Sequence, residues 1–154
     1  MKGEQKVVNG LNRVLASELI SINQTFLHSR ILNDWGIAQF GKKEYKKSIR
    51  DMKQSDQLIA RILFLEGLPN MQQLGRLRIG ENPEDILKCE LALALDMRQL
   101  LAQTIKLCEE TYDYVSRLLL IGILEDEEKF IDWLEEQEAL IKLTGLPNFI
   151  QSQS

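Results

Sequence analysis

Histidine is almost absent: His28 stands alone in 154 residues. One subunit therefore cannot supply the pair of imidazoles that many metal centres require. Cysteine is scarce too. Cys89 and Cys108 form neither a disulfide framework nor a metal-binding spacing, and they read as reduced thiols of a cytoplasm. Three prolines and few β-branched runs leave room for long helices. Positive charge is not in excess. The net charge of −4 argues against nucleic-acid binding. No apolar run is long enough to cross a membrane, and the N-terminal stretch does not read as a secretion signal. What remains is ordinary for a soluble helical protein, with 44% hydrophobic and 27% charged residues. The length suits a single domain, 1–154, with a core of its own.

Apolar periodicity predicts four long helices, at about 5–34, 42–66, 83–110 and 113–143. Gly36 and Gly41 bound the first connection, and Gly67 followed by Pro69 marks the end of the second helix. Residues 68–81 carry Pro69, Gly75 and Gly80 without a sustained period and read as a crossover loop. Asn82 and Pro83 then form a helix start, with Glu84 and Asp85 suited to the positive end of the helix dipole. Gly145 ends the fourth helix, and 146–152 is a candidate short fifth. Four long helices with one long link between the second and third describe an all-α, ferritin-like four-helix bundle. The sequence GLPN at Gly67–Asn70 recurs at Gly145–Asn148, which raises the prospect of two related halves.

The second helix has two working faces. Ser48, Asp51, Ser55, Leu58, Ile62 and Leu65 share one side; Tyr45, Ile49, Met52, Asp56, Ile59 and Leu63 share the other. Neighbouring residues sit about 100° apart round a helix axis. Asp51 is thus expected to face the bundle interior and Met52 a neighbouring surface. A di-iron bundle needs a Glu from each of two helices and Glu-x-x-His from each of the other two. Glu18 meets this on the first helix, but the second offers Asp51-x-x-Gln54, the third Ala94 and the fourth Glu127-x-x-Phe130. Glu18 and Glu127 lie on otherwise apolar stripes, where a carboxylate requires a partner. That partner is water reached at an edge of the bundle, a nearby Lys or Arg, or a weakly held metal.

The segments MKGEQKVVNGLNRVL, SELISINQTFLHSR, RILFLEGLPN, IGENPED, YDYVSR and EDEEKFIDWLE are long and collinear. Through them the chain resembles bacterioferritin over nearly its whole length. The resemblance implies a hollow 24-subunit shell that stores iron as a mineral. It also implies haem b held between two-fold-related subunits with Met52 as the axial ligand from each. Around that ring it places Leu19, Ile22, Asn23, Phe26, Tyr45, Ile49 and Lys53. A thioether is a soft ligand that haem iron accepts.

The same resemblance puts the ferroxidase ligands at Glu18, Asp51, Gln54, Ala94, Glu127 and Phe130, of which only Glu18 and Glu127 keep the family's residue. Lys46 and Arg50 stand at cavity-facing positions and would repel Fe²⁺. Asp34, Glu66 and Asp132 are the expected pore carboxylates. Leu68, Pro69, Leu74, Leu77, Glu81 and Asp85 form the expected docking surface for a small [2Fe–2S] ferredoxin.

Three functions compete. The first is a haem-carrying subunit without its own ferroxidase centre, sharing a shell with a ferroxidase-competent subunit. The second is a ferroxidase working from Glu18, Asp51 and Glu127. The third is a structural bundle with neither chemistry. The missing histidines favour the first over the second, and a haem absorption band separates it from the third.

Overall fold

The computed structural model describes residues 1–72 and 75–154. Among the described residues lie five helices: α1 (Gln5–Asp34), α2 (Ala38–Phe64), α3 (Pro83–Glu110), α4 (Tyr114–Thr144) and α5 (Leu146–Ser152). No strand occurs among the described residues. α1 packs along α2, α3 along α4, and α1 along α3, with α5 folded against α4. The long link crosses from the end of α2 to the start of α3, as the ferritin-like topology requires.

α2 departs from its expected span of 42–66 at both ends. It begins at Ala38 because Phe40 is fully buried, packing its ring on Trp133 and Phe149. Gly41 lies inside the helix and breaks nothing. A Cβ there would meet Asn33 Oδ1 at 2.3 Å, so the glycine allows α1 and α2 to close together. At the other end α2 stops at Phe64. Glu66, not Gly67, takes the left-handed conformation, with φ of 61°. Gly67 is there for space, since a Cβ on it would lie 2.6 Å from Val8. The second GLPN behaves differently: Gly145 has φ of 86° and leads straight into α5. The two copies thus share sequence without sharing conformation.

The start of α3 is built as expected. Asn82 accepts the Asp85 backbone N–H at 2.8 Å, and the Asp85 carboxylate accepts the Glu81 N–H at 2.9 Å. Asp113 caps α4 by accepting the Ser116 N–H at 3.0 Å, and Arg61 of α2 pairs with it at 2.9 Å.

The core has two apolar parts. One gathers Val7, Leu11, Leu15, Leu58, Ile62, Leu101 and Leu120; the other gathers Leu32, Phe40, Ile86, Leu87, Leu134 and Phe149. Truncating one such leucine to alanine costs about 2–5 kcal/mol. On α1, α2 and α4 buried polar residues fall between these two parts: Glu18, Gln24 and His28 on α1, Glu44, Lys47 and Asp51 on α2, and Glu127 on α4; Glu90 on α3 lies within the second part.

Candidate functional site

Asp51 and Met52 are adjacent in sequence and point to opposite environments. Asp51 is fully buried, whereas Met52 is 53% exposed. The expected inner face of α2 is buried throughout, and on the outer face Tyr45, Met52, Asp56 and Leu63 are exposed while Ile49 and Ile59 are half-buried.

Inside the bundle, Glu18 from α1, Asp51 from α2 and Glu127 from α4 converge, each offering a carboxylate oxygen within 4.8 Å of the others. The ammonium of Lys47, one turn before Asp51, sits among them. It donates to the two Asp51 oxygens at 2.7 and 2.8 Å and to Glu127 Oε2 at 3.1 Å. It also lies 5.1 Å from the centre of the Phe130 ring. Phe130 stacks in turn on Trp133, with the rings 6.2 Å apart and 8° from parallel. Asp51 further accepts from the Ser21 hydroxyl.

Burial is the largest influence on the Lys47 ammonium and pulls its pKa down. Asp51, Glu127 and Glu18 together outweigh it and hold the group above the ordinary lysine value, so it stays charged. Burial, followed by repulsion from Asp51, pushes Glu18 well above the usual carboxylate range. Burial raises Glu127 too, against the attraction of Lys47. Neither Glu18 oxygen has a hydrogen-bond partner among the described residues.

Of the other expected ligand positions, Ala94 and Phe130 offer no ligand atom, and Gln54 offers only a neutral amide oxygen, Oε1, which is buried without a partner among the described residues. Gln54 turns its amide to Asp126, donating at 3.0 Å. Ala94 and Phe130 are buried in the apolar core. Sequence reasoning overlooks Lys47, although the spacing Glu44, Lys47, Asp51, Gln54 repeats every three or four residues on the core side of α2. A lysine on such a stripe signals an internal counter-charge.

A second buried cluster lies nearer the α5 end. His28, Glu44 and Glu90 bring one ligand atom each within 4.8 Å of one another. His28 Nε2 accepts the Gly80 backbone N–H at 3.0 Å, so Nδ1 carries the hydrogen and donates it to Glu90 Oε1 at 2.5 Å. Gln24 donates to the same Glu90 oxygen at 3.1 Å. Glu44 is fully buried and neither of its oxygens has a partner among the described residues. Burial, then repulsion from Glu90, drives its carboxyl well up.

On the outer face, Leu19, Ile22 and Ile49 are half-buried and Asn23, Phe26, Tyr45 and Lys53 are exposed beside Met52. Arg30 covers the Phe26 and Tyr45 rings at 5.1 and 5.8 Å. A shallow concavity of about 440 Å³ runs between Tyr45, Lys46, Ile49, Arg50 and Lys53. Asp34, Glu66 and Asp132 are exposed. Of the expected docking residues, Leu68 is 82% exposed, Glu81 is exposed, and Pro69, Leu77 and Asp85 are half-buried. Asp85 is already engaged by the Glu81 amide. Leu74 lies outside the described residues.

Residues 8–144 match the ferritin-like domain family. The chain is 44% identical to a bacterioferritin of Brucella melitensis biotype 1 over 145 residues, covering 94% of this chain and 90% of that one. It is 44% identical to a bacterioferritin of Rhodobacter capsulatus over 149 residues, covering 97% and 92%. A bacterial ferritin of Neisseria meningitidis serogroup A is 39% identical over 154 residues, 99% of both chains.

Proposed function

The chain belongs to the ferritin-like family, among the bacterioferritins, and from that membership we propose that it is a haem-carrying iron-storage subunit with no ferroxidase centre of its own. It acts in the cytoplasm as one domain of a 24-subunit shell shared with a ferroxidase-competent subunit. The observation that carries this reading is the Lys47 ammonium, lodged between Asp51 and Glu127 with the Phe130 ring beside it. A fixed positive charge there neutralises the carboxylates that would otherwise hold Fe²⁺, and repels the ion that they would attract.

The residues around Met52 suit a haem b. An exposed thioether stands on a face of half-buried Leu19, Ile22 and Ile49, with Phe26 and Tyr45 offering ring faces. Lys46, Arg50 and Lys53 line the neighbouring concavity and supply positive charge for two propionate carboxylates. Met52 from each of two subunits would ligate the iron, and Asn23 and Tyr45 would border the ring. When bound, the haem supplies one-electron transfer towards the stored mineral. Asp34, Glu66 and Asp132, all exposed, are carboxylates fit to draw iron through pores, and iron itself is the cargo. A small [2Fe–2S] ferredoxin would dock on Leu68, Pro69, Leu77, Glu81 and Asp85 to feed the haem.

One observation favours a ferroxidase instead: the three carboxylates of Glu18, Asp51 and Glu127 gather as a metal site would. Lys47 weighs against it, as do Gln54, Ala94 and Phe130 at the remaining ligand positions. Purification from native cells, with subunit composition and visible spectrum recorded together, tests the proposal. A haem band in a shell holding a second, histidine-bearing subunit supports it. A homogeneous haem-free shell contradicts it.

A further inference from the structure

Among the described residues, the cluster of His28, Glu44 and Glu90 lies apart from the carboxylates that face Lys47. Glu44 precedes Asp51 by two helical turns, roughly 10 Å along the axis. Glu90 stands one turn before Ala94, and His28 is nearly three turns beyond Glu18. Nothing in the proposed haem or iron chemistry uses these three residues.

Their arrangement is unbalanced as it stands. Glu44 is fully buried and both its oxygens lack partners among the described residues. A buried carboxyl group, charged or neutral, loses water on both oxygens and needs something in return. Lys47, the nearest cation on α2, donates to Asp51 and Glu127. Glu90 holds two donors, His28 and Gln24, on a single oxygen.

We propose that His28 Nδ1, Glu44 and Glu90 form a binding site for a single divalent first-row cation, of the class of Fe²⁺ or Zn²⁺. Two carboxylates and one neutral imidazole balance the charge of such an ion and give it a mixed nitrogen and oxygen ligand set. The cation satisfies the orphaned Glu44 oxygens, and any proton that Glu44 carries is released to solvent as the metal binds. It replaces the hydrogen now shared between His28 and Glu90. That hydrogen moves to Nε2, so the Gly80 amide loses its acceptor. Loading the site therefore loosens the end of the crossover link where it meets α3. Gly80 packs closely on the start of α3, since a Cβ there would lie 2.5 Å from the Ile86 nitrogen.

The site stands independently of the reading of Met52. Its test uses the assembled full-length protein, stripped with a chelator and crystallised with Co²⁺ as the probe. Anomalous scattering at the cobalt edge is expected to show one ion per subunit between His28, Glu44 and Glu90. Glu44→Gln removes that peak, or lowers Co²⁺ affinity there at least tenfold, while peaks at exposed acids persist. Amide hydrogen exchange at Gly80 accelerates on Co²⁺ loading in the wild type and not in Glu44→Gln. A wild-type map with cobalt only at surface acids or at Glu18, Asp51 and Glu127 overturns the proposal, whether or not the variant folds. So does Gly80 exchange that ignores the metal. Haem content is expected to be the same in both proteins, so failure here leaves the function of the subunit a separate question.

Discussion

The Lys47 ammonium reaches both carboxylate oxygens of Asp51, at 2.7 and 2.8 Å, one helical turn away on the buried side of α2. The pair is sealed from solvent, with Lys47 at 4% and Asp51 at 0% exposure. Removing one partner from such a pair leaves an uncompensated buried charge. Lys47→Met is therefore expected to lower the unfolding free energy by about 3–5 kcal/mol. Denaturant titration of the assembled protein measures it. A loss below about 1 kcal/mol, the range of exposed pairs, would show that Lys47 does not carry this charge balance.

Glu44 and Glu18 give a pH dependence of definite sign. Their folded carboxyls titrate above the unfolded value of about 4.3. The native state holds those protons more tightly, so their stabilising contribution is full below the unfolded value and is lost as pH rises through the raised folded one. The metal-free protein is expected to lose stability across that window. Glu44→Gln, which cannot ionise, reduces the slope. Denaturation midpoints at a series of pH values check this; parallel curves for wild type and variant contradict it.

Met52 provides the haem test. Met52→Leu keeps the approximate volume and removes the sulfur, so the visible haem band is expected to vanish while the helical circular dichroism stays. Wild-type protein is expected to hold one haem for every two subunits with this methionine. A variant that retains its haem would place the ligand elsewhere.

Leu68 and Glu81 test the docking surface. Leu68 is 82% exposed beside an open concavity of about 770 Å³ that runs between α1 and the crossover link. An exposed apolar anchor flanked by an acid has the make-up of a docking hot spot. Leu68→Ala with Glu81→Ala is expected to weaken binding of a small [2Fe–2S] ferredoxin by about tenfold or more. Asp85→Ala would also disturb the start of α3, because its carboxylate holds the Glu81 amide. Surface plasmon resonance with haem-loaded protein measures the affinity, and an unchanged constant for the double variant removes this surface from consideration.

Helix identity was legible because apolar spacing and end chemistry agreed: α1, α3 and α5 fall on the expected residues. The edges of α2 were not, since Phe40 burial and helix closeness at Gly41 outweigh the usual disruption by glycine. The opposition of Asp51 and Met52 followed from the 100° step alone. Lys47 and the His28, Glu44 and Glu90 cluster were harder. A lysine or glutamate in sequence is ordinarily solvated, and only convergence of three or four helices reveals that these are not.

The absence of ferroxidase chemistry is the central claim, and one rapid-mixing measurement tests it. Fe²⁺ and O₂ are mixed with the homogeneous wild-type shell at a few iron ions per subunit, and oxidation is followed by absorbance. A quadruple variant, Asp51→Glu, Gln54→His, Ala94→Glu and Phe130→His, is run beside it, with and without Lys47→Gln. Wild type is expected to show no fast saturable phase. The quadruple variant stays slow because the Lys47 ammonium still occupies the carboxylates, and the phase emerges only when Lys47→Gln is added. A fast saturable phase in the wild type, lost on Glu18→Ala or Glu127→Ala, would contradict the account.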